Sequence, residues 1–235
     1  MSVAALYDNR QMIRAIIFDL DGTLADTEPL HFAAFKEVLG QEGIELTEEE
    51  YYKHLIGYTD HDCFAAVLKD RGRKADDAAV ADLARRKAMS YQRMIADRDL
   101  LYPGAVDFVN RCAARGPIAV ATGTLRDEAE LILTGPGLRK LFAEVVAAED
   151  VEHGKPAPDI FLATLKRLNS TMSPPLKAEE CLVLEDTGAG IEAARSAGMK
   201  VLALKHSAPA EELALAHAVR KSLLDIDLDE ILRTL

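Results

Sequence analysis

Short apolar runs and stretches of helical spacing alternate along this chain. The first run, 14–20, is apolar at Ala15, Ile16, Ile17 and Phe18 and halts at Asp21-Gly22, which predicts a buried strand ending in a turn. From Thr27 the spacing becomes helical. Leu30, Phe32, Phe35, Val38 and Leu39 share a face, and Gly40 and Gly43 are the expected stop. Thr47 ahead of Glu48-Glu49-Glu50 predicts an N-cap and acidic first turn, opening a short helix through Leu55 that Gly57 breaks. A helix is expected over 60–69, with Phe64, Val67 and Leu68 inward and Arg71-Gly72 as its stop. A longer one over 76–96 carries Val80, Leu83, Met89 and Tyr91. Residues 28–97 therefore predict helices and no strand.

Past Pro103-Gly104 the pattern changes. Helices are expected up to Ala114 and over 124–133, 158–168 and 189–197, with strands over 118–121, 144–148, 181–184 and 200–204. Strands alternating with helices through short links predict a parallel sheet covered on both faces. Val183-Leu184 and Val201-Leu202 are apolar on both sides, as central parallel strands are. The expected fold class is α/β. A core of residues 1–26 and 98–235 is split after its first strand by an all-helical insertion, 27–97, and residues 1–12 form a loosely held arm.

Composition closes off some functions. The 235 residues suffice to bury a sizeable core. A net charge of −11 argues against a nucleic-acid or anionic-membrane binder, since both need a basic face. It leaves room for an anionic substrate held by a metal ion and a few local cations. Cys63, Cys112 and Cys181 are scattered with no C-x-x-C spacing, which fits a reducing compartment. No apolar run approaches the ~20 residues of a membrane span. Asp8, Arg10 and Arg14 before a very short apolar run do not make a signal peptide. The expectation is a cytoplasmic monomer with no nucleic-acid or membrane partner.

In open α/β sheets ligands bind beyond the carboxyl ends of the strands, so what each strand delivers there matters. The first delivers Asp19 and Asp21, which share one side of an extended chain. The bend at Gly22 can re-aim the second acid toward the first, and two carboxylates that close repel unless a cation or proton lies between them. The second strand delivers Thr122-Gly123-Thr124, whose hydroxyls and N–H groups suit a phosphate or simply cap the next helix. The third is followed by Lys155, biased toward an extended conformation by Pro156. The fourth delivers Glu185-Asp186. Each has a plain structural role as turn, cap or solvated charge. Together they place four carboxylates, one lysine and a hydroxyl-rich helix start at one sheet edge. Unpaired acids in one cleft destabilise each other, which predicts a divalent cation, and oxygen-only ligands point to Mg²⁺.

In this order, Asp19-x-Asp21-Gly22-Thr23, Thr122, Lys155 and Glu185-Asp186 resemble the four motifs of the haloacid dehalogenase superfamily, and the resemblance covers essentially the whole chain. It implies a Rossmann-like core, with the insertion as a helical cap. The run from Asp19 to His31, with Gly154-Lys155-Pro156-Ala157-Pro158-Asp159, is similar to the β-phosphoglucomutase-like branch. By that resemblance Asp19 is a nucleophile toward phosphorus, giving an aspartyl-phosphate, while Asp21 protonates the leaving alkoxide and then deprotonates water. Mg²⁺ would take Asp19, the main-chain carbonyl of Asp21, and Asp186, with Glu185 close or also ligating. Lys155 would bridge nucleophile and phosphoryl oxygens, which Thr122 and the N–H of Gly123 hold from the other side.

The cap would act as a lid that reads the leaving group, with His31, Asp60 and His61 as candidates. The β-phosphoglucomutases carry an arginine that grips a second phosphate where this chain has Asp60, and an acid cannot do that. The expected function is a Mg²⁺-dependent phosphatase of a small phosphorylated metabolite, a sugar or polyol phosphate. A phosphomutase and a non-catalytic phosphoester-binding module are the alternatives. Dehalogenase chemistry needs no such acid cluster. A phosphonatase needs a cap lysine, for which Lys53 is the nearest and unmarked candidate.

Overall fold

A computed structural model describes residues 12–56, 58–96 and 98–235. Residues 1–11 of the expected arm, and the expected helix breaker Gly57, lie outside the described residues. Six strands form one parallel sheet in the order β3-β2-β1-β4-β5-β6. They are β1 (Ala15–Phe18), β2 (Ile118–Ala121), β3 (Glu144–Val146), β4 (Cys181–Glu185), β5 (Lys200–Leu204) and β6 (Ala218–Arg220). In β1 to β5 nearly every residue is buried, because helices cover both faces. Side chains alternate between two cores. Ile16, Phe18, Leu182 and Leu184 face one, completed by α5 (Ala105–Ala113), α6 (Arg126–Thr134) and α9 (Leu228–Thr234). Ala15, Ile17, Cys181 and Val183 face the other, completed by α7 (Asp159–Leu168) and α8 (Gly188–Ser196). Phe18 meets Phe108 and Phe142 edge-on at 6.2 and 5.9 Å; truncating such a ring to alanine costs about 3–5 kcal/mol.

The stretch between β1 and α5 is helical: α1 (Glu28–Gln41), α2 (Glu48–His54), α3 (Asp60–Asp70) and α4 (Asp77–Ile95). Thr47, Thr59 and Asp76 cap the last three by accepting from the amides of Glu50, Asp62 and Ala79. These helices bury a cluster of their own around Phe35, Leu39, Phe64, Val67 and Leu83. The two connections to the core run side by side, with the Asp26 amide donating to the Leu100 carbonyl and the Tyr102 amide to that of Leu24. No described helix is long and apolar enough to cross a membrane.

Several boundaries differ from expectation, each for a local reason. β1 is shorter because the amides of Thr23, Leu24 and Ala25 all turn back to the Leu20 carbonyl. Gly40 stays inside α1, and Gly43, at φ +69°, is the stop. β3 ends at Val146, ahead of a short 3-10 turn over Ala148–Asp150. Met89 is 57% exposed: at 100° per residue it lies opposite Val80, and Lys87 takes a place on the buried stripe. β6 and α9 were not foreseen; β6 is a three-residue edge strand of intermediate burial and carries almost no pattern.

Candidate active site

The sheet order reverses direction between β1 and β4, and the crevice beyond such a switch point is where open α/β sheets bind ligands. Asp19 follows β1 there, and Glu185 ends β4 with Asp186 after it. All three acids are buried, and each offers an oxygen within 4.8 Å of the others. Lys155, brought in after β3, donates to Asp19 Oδ1 at 2.5 Å and to Glu185 Oε1 at 2.6 Å. The other Glu185 oxygen accepts from the amides of Asp186 and Thr187 and from the Thr187 hydroxyl. Asp186 Oδ1 accepts from Thr23 at 3.0 Å, while its Oδ2 is buried with no partner among the described residues.

Three buried acids share one lysine, and their protonation shows the strain. Burial raises Asp19 well above the carboxylate range; Lys155 opposes this, while Glu185, Asp186 and Asp21 add to it. Asp186 is raised by burial and by Glu185. Burial would lower Lys155, but Asp19 and Glu185 outweigh it and hold the ammonium above its usual value. Two glycines make the packing possible. A Cβ on Gly22 would lie 2.0 Å from Asp186 Oδ2, and one on Gly190 would lie 1.7 Å from Glu185 Oε1.

Asp21 stands apart from these three. Its carboxylate accepts from Thr27 at 2.6 Å, from Thr122 at 3.2 Å and from Thr124, with His31 Nε2 3.8 Å away. Burial would raise Asp21, but His31, Thr124 and Thr27 outweigh it and hold the group well below the usual range, so it rests ionised. The Thr122 hydroxyl also accepts from the Thr124 amide. It does not cap α6, which starts later than expected, at Arg126. Gly123 is exposed, and its amide has no partner among the described residues.

Among the cap candidates, His31 and Asp60 meet at a residue the sequence reading did not single out. Lys87 is 1% exposed, donates to Asp60 at 2.7 Å and lies 2.8 Å from His31 Nδ1. An ammonium can only donate, so Nδ1 is the acceptor and the proton sits on Nε2, facing Asp21. The Lys87 ammonium also rests over the rings of Phe35 and Tyr91, and His31 stacks on Tyr91 at 4.1 Å. His61 is exposed, 3.9 Å from Asp62, and joins none of these contacts. The sequence offers Thr124 only within the Thr122-Gly123-Thr124 helix start, Thr27 only as the start of helical spacing and Tyr91 only as a helix-face residue, and it marks neither Lys87 nor Glu128. A visible signal existed for Lys87, a charge on the Val80–Leu83–Tyr91 stripe of α4.

A family model described as haloacid dehalogenase-like hydrolase matches residues 13–198. The fructose-1-phosphate phosphatase YqaB of Escherichia coli is 39% identical over 184 residues, spanning 78% of this chain and 92% of that relative. CbbY from Rhodobacter sphaeroides, crystallised as a mutant with xylulose-(1,5)bisphosphate, superposes with a TM-score of 0.80 at 29% identity, covering 92% of this chain and 97% of that one. A β-phosphoglucomutase from Clostridium difficile superposes at 0.81 and 25% identity, covering 94% and 96%. On the family match over most of its length and the near-complete alignment with YqaB, this chain belongs to the haloacid dehalogenase-like hydrolases.

Proposed function

We propose that the chain is a Mg²⁺-dependent phosphatase that hydrolyses a small sugar or polyol phosphate through an aspartyl-phosphate on Asp19. The observation that carries this is the excess of buried acid at the sheet's switch point: Asp19, Glu185 and Asp186 against one lysine, with Asp186 Oδ2 unpartnered. A hard divalent cation takes oxygen ligands of this kind. Asp19, Asp186, the carbonyl of Asp21 and the neighbouring Glu185 would hold it. When bound, the ion offsets the charge of acids and phosphoryl group together. The sugar-phosphate assignment draws on the substrate in YqaB's name and on the sugar bisphosphate crystallised with CbbY.

In the first step an Asp19 oxygen bonds to phosphorus and the ester P–O bond breaks. The proton on Asp21 passes to the departing oxygen. Asp21 rests ionised and takes up this proton from solvent as the arriving phosphate dianion raises its proton affinity through like-charge repulsion. In the second step Asp21, now carboxylate, takes a proton from water, whose oxygen bonds to phosphorus as the P–O bond to Asp19 breaks. Lys155 holds Asp19 and meets phosphoryl charge, and Thr122 with the Gly123 amide holds the phosphoryl oxygens from the other side.

Residues 27–97 serve as the cap and residues 1–26 with 98–235 as the core. Asp60, where the mutases carry an arginine, is an acid paired with Lys87 and offers no cation to a second phosphate, which disfavours mutase chemistry. We take the enzyme to be a cytoplasmic monomer, a state that light scattering reads directly. Phosphate release from hexose and polyol monophosphates, with Mg²⁺ and with EDTA, tests the function. Release that the chelator abolishes is expected, and release indifferent to it contradicts the proposal.

A further inference from the structure

Where α4 packs against α6, two buried oxygens have no partner among the described residues: Glu128 Oε1 and the Tyr91 hydroxyl. Glu128 is 2% exposed and Tyr91 fully buried. Neither oxygen has a role in the steps proposed above. Both lie beside the residues that do, however. Tyr91 stacks on His31, whose other ring nitrogen faces Asp21, and its hydroxyl lies near Thr27, whose own hydroxyl is given to Asp21. Charges reach Glu128 from two directions: Lys87 and Asp60 from the helical insertion, Asp21 and Glu149 from the sheet edge. The pair therefore flanks Asp21, the residue proposed to protonate the leaving oxygen, on the side where the insertion meets the core.

Buried polar atoms in folded proteins are nearly all hydrogen-bonded, and one left unmade is costly. Two such oxygens where the helical insertion packs on the core point to a ligand that completes them. Phosphate is a poor fit for that ligand, because the neighbouring cation, Lys87, is already paired with Asp60. Uncharged hydroxyl groups fit. Burial raises the Glu128 carboxyl to about 8, so at neutral pH it carries a proton and can both donate and accept, as the phenol can.

We propose that Glu128 and Tyr91 determine specificity for the leaving group, their unpartnered oxygens taking hydroxyls of the alcohol that departs from phosphorus. The proposal rests on the phosphatase function and adds what the cleft selects: a polyhydroxy leaving group carrying a single phosphate. Sites built to bond a substrate hydroxyl discriminate strongly against analogues that lack it.

The test compares kcat/KM for hexose and glycerol monophosphates with that for p-nitrophenyl phosphate, whose leaving group has no hydroxyls to offer. The readout is the ratio of the two in wild type, Glu128→Ala, Glu128→Gln and Tyr91→Phe, each checked for folding by circular dichroism. Glu128→Ala is expected to lower the ratio about tenfold or more, mainly through KM. Glu128→Gln, which keeps one donor and one acceptor, should restore most of it. Tyr91→Phe removes only an oxygen and should lower the ratio even if Glu128→Ala does not fold. A ratio unchanged in the folded variants, with wild type active, overturns this proposal alone and leaves the two atoms to buried water. A wild type inert on every phosphoester overturns the phosphatase function, and this proposal with it.

Discussion

Lys155 and Lys87 each hold an ammonium among acids, yet their surroundings differ in charge balance. Lys155 meets Asp19 and Glu185 with Asp186 beside them, so three acids share one cation and one buried oxygen is orphaned. Lys87 meets one acid, Asp60, one neutral ring nitrogen and two aromatic faces, while the nearby Glu128 keeps its proton. The first cluster is overcharged and calls for a cation; the second is balanced and has only hydrogen bonds to give. On the functions proposed above, phosphoryl transfer falls to the first cluster and recognition of the leaving group to the second.

Removing each lysine should break the comparison most visibly. Lys155→Met leaves three buried carboxylates without a cation and should cost about 3–5 kcal/mol. Lys87→Met leaves Asp60, which is partly exposed and can hydrate, at roughly 1–3 kcal/mol. Denaturant melts of the metal-free proteins measure both, and equal losses would remove the distinction. A smaller effect of opposite sign is expected from Asp186→Asn. Taking one acid from the overcharged set should leave the metal-free protein as stable as wild type, or up to about 1 kcal/mol more stable. It should also abolish the rise in melting temperature on adding Mg²⁺, which calorimetry reads directly.

A pH-dependent effect is expected in the balanced cluster. Glu128 is raised from 4.5 to about 8 by burial, against the pull of Lys87 and with Asp60, Asp21 and Glu149 adding to it. Below 4.5 the group is protonated folded or unfolded. Between the two values only the unfolded chain ionises, so native stability falls as pH rises, and above about 8 the loss levels off. Glu128→Gln does not titrate. Wild type should therefore melt progressively lower than this variant between about pH 5 and pH 8, with a constant gap beyond. A gap independent of pH would mean that Glu128 is ionised in the fold.

The overcharged cluster was legible in the sequence because its acids sit at the ends of apolar strands and Lys155 in the loop that follows one. One parallel sheet brings all strand ends to one edge, so Asp19, Thr122, Lys155 and Glu185-Asp186 could be gathered without coordinates. The balanced cluster was far less legible. Lys87, Tyr91 and Glu128 lie inside helices, where a polar residue looks like part of a solvated face until the packing partner is known. His31 and Asp60 were noticed only through the resemblance, and His61 beside them is exposed. Asp21 shows the same limit. Its spacing from Asp19 suggested two converging carboxylates, but the turn after Leu20 gives its oxygens to Thr27, Thr122 and Thr124. Short-range pattern placed the backbone there and could not tell which neighbours would take the side chain.

The central claim is that Asp19 becomes covalently phosphorylated, and trapping that species tests it most directly. Enzyme turning over a hexose monophosphate with Mg²⁺ is quenched in acid, digested and mapped by mass spectrometry, beside Asp19→Asn. The phosphoryl group is expected on Asp19 in wild type, with no phosphopeptide and at least a thousandfold slower phosphate release, roughly, in Asp19→Asn. Phosphate release that survives Asp19→Asn, or a phosphoryl group mapped to another residue, would contradict the account.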